Sequence, residues 1–327
     1  MPQTFHPIAF ALLATTVLNG CGGGGDEVGA LSLTFTPPTI GLAVSGSPRL
    51  TILSNTGALP IEQLTLTAEG LPAGTTLLHS CPDRLEPRAS CELVLQPGDQ
   101  PSAAPGDTAA RPATVRVSSA GAPLAALPVS VITHGSVHQG GYVFAIDDST
   151  PIGGSIGGKV AGLTDLPGQH NWSPALGVVG VGGLDVAGPN SCDGATDGAC
   201  NTARIVALHG SGTYAAALCT DSTEGGHSDW YLPTLCELGY NLNTTAPGNF
   251  CGTQQQPRLA NNIRSNLIDL QPPVGNFDAN LRWSSNERAG DPDVWALASS
   301  TVLQDPFAGG HKVIAERLVR CVRPLTP

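Results

Sequence analysis

Charge and aromatic residues are scarce in this sequence. Asp, Glu, Lys and Arg make up 13% of the 327 residues and aromatics 5%, against 41 Gly and 28 Pro. That scarcity excludes long charge-laced helices and predicts a loop-rich fold with little helix. A bilayer-crossing helix needs about 20 consecutive apolar residues, and the apolar run from Ile8 to Val17 is about half that. The chain has no CxxC pair, no Gly-x-Ser-x-Gly elbow and no His-Glu-x-x-His pair, so zinc, serine-hydrolase and zincin chemistry all lack their signatures. It also has no Gly-X-Y repeat and hence no collagen-like stalk. With a net charge of -11 the chain repels phosphate backbones, and nucleic acid is not an expected partner.

What is present starts at the N-terminus. The apolar stretch Ile8 to Val17 runs into Leu18-Asn19-Gly20-Cys21 and then Gly22 to Gly25. This resembles a lipoprotein signal peptide with its lipobox, which implies lipidation of Cys21 after removal of residues 1–20. The n-region has no Lys or Arg and Asn19 is unusually polar, so a plain secretory signal cleaved nearby is the alternative. Residues 21–30 read as a Gly-rich tether. No Asp follows Cys21, so the resemblance implies the outer membrane or cell surface, with the chain held by its N-terminal lipid.

Setting Cys21 aside leaves an even set: Cys81, Cys91, Cys192, Cys200, Cys219, Cys236, Cys251 and Cys321. An even set in an exported chain reads as a disulfide framework. Spacing pairs Cys81 with Cys91 and Cys192 with Cys200 inside turn-rich stretches. Cys236 with Cys251 spans a loop, and Cys219 with Cys321 remains to close the last domain.

From Leu31 to about Thr133, short alternating runs such as Arg49 to Leu53, Cys91 to Leu95, Thr114 to Val117 and Leu127 to Ile132 are separated by Pro, Gly and Asn. This is the sequence form of a two-sheet sandwich, expected over residues 31–135 and all-β. The Asn-Thr-Gly turn ending at Gly57, the Leu-Pro-Ala-Gly turn ending at Gly74 and the Cys81–Cys91 segment resemble immunoglobulin-like (Ig-like) modules found beside bacterial surface domains. Such a module would serve as a spacer. Gln96 to Ala113 reads as a long mobile loop between two strands.

Residues 136–327 carry landmarks in fixed order: Gly140-Gly-Tyr-Val-Phe144, Cys219, Asp229-Trp-Tyr-Leu-Pro-Thr-Leu-Cys-Glu-Leu238, Trp283-Ser-Ser-Asn-Glu287 and Val319-Arg-Cys-Val-Arg323. The set resembles the C-terminal domain family of the Legionella collagen-like adhesin, widespread in exported bacterial proteins. From the residues themselves, Thr213 to Thr220 suits a short helix carrying Cys219 late. Pro233 onward suits a second helix with Pro233 in its first turn. Trp283, Trp295 and Val319 to Val322 supply strands of a small sheet. The expected architecture is therefore multidomain: an all-β Ig-like sandwich followed by an α+β domain similar to the C-type-lectin-like fold. The stretch from Asp147 to Gly212 is an elaboration without a derivable role.

The resemblance implies a binding or adhesion module, for host or environmental glycans. A ligand surface is expected from Trp283, Asn286, Glu287, Asp291 and Asp293 together with Lys312, Arg317 and Arg320. A calcium or polar-ligand site at Asn286, Glu287, Asp291 and Asp293 is one reading of the acidic part, and a solvated loop beside a structural Trp is the plainer one. The adhesin binds sulfated polymers through basic surface, whereas residues from Ser136 onward hold ten Lys and Arg against seventeen Asp and Glu. Weak or absent binding of sulfated polymers is expected here. Two other readings stay open: a structural envelope protein contacting another bacterial protein, and an enzyme related to formylglycine-generating enzymes. The latter need free reactive thiols, and every cysteine after Cys21 has a candidate partner. No catalytic residue or required cofactor is expected, and the chain could form a homo-oligomer. Gly153 to Lys159 resembles a phosphate loop but has Val160 where Ser or Thr must hold magnesium. Gly180-Val-Gly182 starts a dinucleotide fingerprint that breaks at Asp185.

The lipobox resemblance is checked by intact mass of the membrane-extracted protein. The mature chain should begin at Cys21 and carry a lipid adduct; an unmodified N-terminus elsewhere would contradict it.

Overall fold

The computed structural model describes residues 31–174, 181, 184, 192–240, 251–287, 295–300 and 308–326, with backbone alone for 295–300 and 308–310. The first domain has eight strands: β1 (Leu33–Thr36), β2 (Ile40–Ala43), β3 (Arg49–Asn55), β4 (Leu64–Glu69), β5 (Thr76–His79), β6 (Ser90–Gln96), β7 (Ala113–Ser119) and β8 (Ala122–Ile132). They form two four-stranded sheets, ordered β1-β3-β6-β5 and β2-β8-β7-β4. Pairing is antiparallel apart from β2 and β8, which run parallel with Ile40 opposite Val129.

Period-2 patterning explains the sandwich. In β6, Cys91, Leu93 and Leu95 are buried while Ser90, Glu92 and Gln96 are exposed. Leu53, Leu93 and Leu95 of one sheet meet Leu42, Val115, Val117 and Val129 of the other in one core. A one-residue slip would turn each of these rows to solvent, so the register is firmly specified. Two strands escape the pattern: β2 is buried along its whole length, and β5 is a largely exposed edge.

The segment between β6 and β7 is tied down instead of hanging free. Ser102 exchanges two hydrogen bonds with the Val131 backbone, each 2.8 Å, and Gly106 N–H donates to the Gly135 carbonyl at 2.8 Å.

The second domain contains β9 (Val137–His138), β10 (Gly141–Asp147), β11 (Gly157–Gly162), α1 (Gly198–His209), α2 (Ala215–Thr220), α3 (Leu235–Leu238), β12 (Leu281–Glu287), β13 (Trp295–Ser300), β14 (Ala308–His311) and β15 (Val322–Pro324). A π-helical turn spans Arg264–Ile268. One sheet is ordered β15-β11-β10-β9 and the other β12-β13-β14. The four-stranded sheet is covered on both faces. Val143 and Val160 face a core with Trp172, Trp230 and Trp283, while Phe144 and Ala161 face one with Tyr231, Leu267 and Val322.

Helix α2 holds Cys219 in its last turn, as expected. Helix α3 starts two residues later than expected, at Leu235, because Thr234 is the cap and Pro233 lies outside. Thr234 Oγ1 accepts from Glu237 N–H at 3.1 Å and Glu237 accepts from Thr234 N–H at 2.8 Å, a reciprocal cap that satisfies two donors at the helix start. The final strand is shorter than Val319 to Val322 suggested, beginning at Val322.

The structure contains the disulfides Cys81–Cys91, Cys192–Cys200, Cys219–Cys321 and Cys236–Cys251. Cys219–Cys321 closes a loop of 102 residues. A loop of that length restricts the unfolded chain by about 4.7 kcal/mol in the chain-entropy account.

The two domains are fastened well beyond the crossover at 133–139. Arg49 in β3 is fully buried. Its guanidinium donates to the Asp148 carboxylate at 2.7 Å, to the Asp148 carbonyl at 2.9 Å, and to the carbonyls of Thr150 and Pro151 at 2.8 and 3.0 Å. Ser47 N–H also donates to Asp148 at 2.7 Å, and Leu50 N–H to the Ile152 carbonyl at 2.7 Å. Within the Gly153–Lys159 run it is Ser155 and Ile156 that extend this inter-domain clasp, Ser155 Oγ accepting from Gly41 N–H at 3.0 Å and Ile156 N–H donating to the Gly41 carbonyl at 3.1 Å, while Gly157 and Gly158 open β11.

Replacing Arg49 with Met removes every bond that the guanidinium makes across the clasp and leaves the Ser47 N–H to Asp148 bond. A stability loss of about 2–3 kcal/mol is expected in chemical denaturation. An unchanged midpoint and slope would show that the clasp contributes nothing.

Candidate functional site

Strand β12 carries three of the expected ligand residues, and it is buried almost throughout, with only Leu281 partly exposed. Trp283 is fully buried, and its Nε1–H donates to the His170 carbonyl at 2.7 Å. Asn286 Nδ2 donates to the carbonyls of Leu184 and Gly194, both at 2.7 Å, and Oδ1 accepts from Leu235 N–H at 2.8 Å. One amide side chain therefore fixes three separate backbone segments.

Glu287 accepts from Val181 N–H at 2.9 and 3.1 Å and forms an ion pair with Lys312. Lys312 is fully buried, with its ammonium 4.5 Å from the centre of the Trp172 ring. Arg320 donates to Asp165 at 2.8 Å and to the carbonyls of Gly162 and Gly275 at 2.9 and 3.1 Å. Arg282, which carried no sequence signal, meets the same carboxylate at 2.8 and 2.7 Å. Burial alone would raise the pKa of Asp165, but the hydrogen bonds and charge of the two guanidiniums outweigh it and hold the carboxyl below its ordinary value.

The expectation of an exposed site at Trp283, Asn286, Glu287, Lys312 and Arg320 is thus corrected. These residues lie inside the domain and are engaged by internal partners, because a polar group taken from water must be hydrogen-bonded or paired. Asp291 and Asp293 lie outside the described residues. Among the described residues no cluster of three or more His, Cys, Asp or Glu side chains is placed to hold a metal ion.

Arg317 differs from the others. It is partly exposed and borders a groove of about 320 Å³ with Gln169, Ala279, Asn280, Leu281 and Glu316. Its backbone forms an antiparallel bridge with His170, with N–H to carbonyl distances of 2.9 and 3.0 Å. Its guanidinium lies 5.9 Å from the centre of the Trp283 ring, and its Nη1 donates to the Glu316 carbonyl at 2.9 Å. Its Nε is buried without a hydrogen-bond partner, so the terminal nitrogens are what the guanidinium can present. The groove therefore offers two amides, a carboxylate and a guanidinium, which suit hydrogen bonding to a hydroxyl-rich ligand. Gln169 and Asn280 had no sequence signal, since isolated amides in loops carry none.

The Lys312–Glu287 pair is open to direct measurement. Lys312→Met strands a buried carboxylate and should cost about 3–5 kcal/mol, whereas adding Glu287→Gln should recover much of that loss. Equal stabilities for the single and double variants in chemical denaturation would contradict the pairing.

No family model and no curated protein matches the chain. Among solved structures, it is similar to SSP-19, an MSP-domain protein like family member in Caenorhabditis elegans, at 17% identity over 31% of this chain and 99% of that one, TM-score 0.23. It is also similar to a Bacteroides ovatus GH5 xyloglucanase (16% identity, 37% of this chain, 22% of that one, TM-score 0.20). A third likeness is to the secreted serine protease VesC from Vibrio cholerae (14% identity, 43% and 36%, TM-score 0.22). Likenesses at these TM-scores carry no functional argument for this chain.

Proposed function

We propose that the protein is an exported surface lipoprotein whose C-terminal domain, C-type-lectin-like and related to that of the Legionella collagen-like adhesin, binds a polar ligand of the glycan class without turning it over. The N-terminal sandwich, read as Ig-like, is its spacer. The observation that carries this reading is the Arg317 groove: polar donors and acceptors held on a backbone that buried ion pairs and the Cys219–Cys321 disulfide make rigid. A site of that kind needs little ordering when a ligand arrives.

Four disulfides support an oxidising, exported compartment, and no described helix is long and apolar enough to cross a membrane. With those eight cysteines bonded, no thiol among the described residues is available for formylglycine-type chemistry. That counts against the formylglycine-type alternative alone.

A glycan array with the full mature chain, run with and without a calcium chelator and across a salt series, tests the proposal. Neutral or weakly charged glycans should be retained in chelator and salt, with Arg317→Ala weakening them at least tenfold. Steeply salt-sensitive heparin binding would restore a sulfated-polymer role. No retention of any glycan would favour a structural envelope protein.

A further inference from the structure

A second cavity lies where the two domains meet, remote in sequence from the Arg317 groove. It measures about 300 Å³, at the lower end of the range for small-ligand sites. Its walls come from β2, β8 and the tied-down loop on the sandwich side and from Ser136 to Gln139 on the other. Apolar surface from Ile40, Pro112, Pro128 and Val137 dominates the lining.

Two features give the cleft a chemical preference. Arg111 stands on its rim, exposed, with Nη1 donating to the Ala109 and Ala110 carbonyls at 3.0 and 3.1 Å. Nε and Nη2 are left for another acceptor, and Arg111 makes no ion pair among the described residues. No acidic residue lines the cleft. His138 lies in the wall, packed near the Gly41 backbone. Burial, with help from the Arg323 and His227 charges, pushes its pKa down to about 4, so near neutral pH it is an uncharged donor and acceptor. In a chain of net charge -11, an unpaired guanidinium at the mouth of an apolar cleft is a local exception.

We propose that the inter-domain cleft is a binding site for a small amphipathic carboxylate, with its apolar body against Ile40, Pro112, Pro128 and Val137 and its carboxylate on Arg111. Pro112 follows Arg111 directly and fixes the local backbone dihedral, so charge and apolar wall are presented together. Because the walls belong to both domains, an occupant also strengthens their contact, and its binding raises the unfolding temperature.

Calorimetric titration of the mature chain with hexanoate, hexan-1-ol and hexylamine tests the site, alongside Arg111→Gln and Ser130→Leu. Ser130 lines the cleft from β8, so Leu at that position fills it. Hexanoate should bind saturably with one site per chain, at least tenfold tighter than the alcohol, with the amine weakest. Arg111→Gln should abolish the preference for the acid, and Ser130→Leu should abolish binding of both acid and alcohol. Acetyl-leucyl-leucine binding as the free acid more tightly than hexanoate would support the same site with a peptide terminus as its source. Should Ser130→Leu fail to fold, the His138 ring-nitrogen resonances of the unaltered protein must shift on hexanoate addition. Non-saturable binding, equal affinity for acid and alcohol, or an unperturbed His138 would overturn the proposal.

Discussion

The guanidinium of Arg49 is the interaction on which the arrangement of the molecule depends. It occupies an inward position of a sandwich strand, where an apolar residue would ordinarily sit, and spends its donors on the loop Asp148 to Pro151 of the following domain. A buried charge is tolerated when its strongest hydrogen bonds are made, and here both terminal nitrogens are paired while the buried Nε alone lacks a partner. The loop must therefore lie where it does whenever the sandwich is folded. That requirement carries β10 and β11, which flank the loop, into a fixed position relative to β3.

The same logic recurs through the C-terminal domain. Asp165 is shared by Arg282 and Arg320, Asp229 receives Arg323 at 2.5 Å, and Glu237 receives Lys159 at 2.5 Å and the Tyr231 hydroxyl at 2.7 Å. A chain with few charges thus uses many of its cations as internal fasteners. The short strands and helices of this domain divide their buried apolar surface among separate cores on the two faces of the four-stranded sheet. Pairs of this kind, with the disulfides, specify which loops meet.

Parts of this structure were legible in the sequence and parts were not. Strands β3, β6 and β7 were readable because each has one face in the core and one in solvent, which imprints alternation on the chain. Ile40-Gly-Leu-Ala43 is buried on both sides and only four residues long, so no alternation marks β2. Helix α1 was invisible because its buried face is made by Gly198, Asn201, Thr202 and Ile205, a helical spacing filled mainly by small and polar residues. There Gly198 is required by closeness: a Cβ would lie 2.4 Å from the Glu237 carboxylate. The candidate site was half legible. The Trp283 to Glu287 segment was found, but a polar residue reads the same whether it meets water or a partner far away in the chain, and Asn286 and Lys312 meet partners.

The Cys219–Cys321 bond changes how the molecule responds to pulling. Tension applied between Leu31 and Arg317, as the proposed tethered binding would apply it, loads the chain between those points. The bond offers a covalent short cut four residues from Arg317, so residues 220–316 drop out of the load path. At about 3.3–3.6 Å per extended residue, more than 300 Å of slack is withheld. Force is delivered instead to the clasp at Arg49 and to the sandwich strands, and those contacts set how far the chain between Leu31 and Arg317 can lengthen.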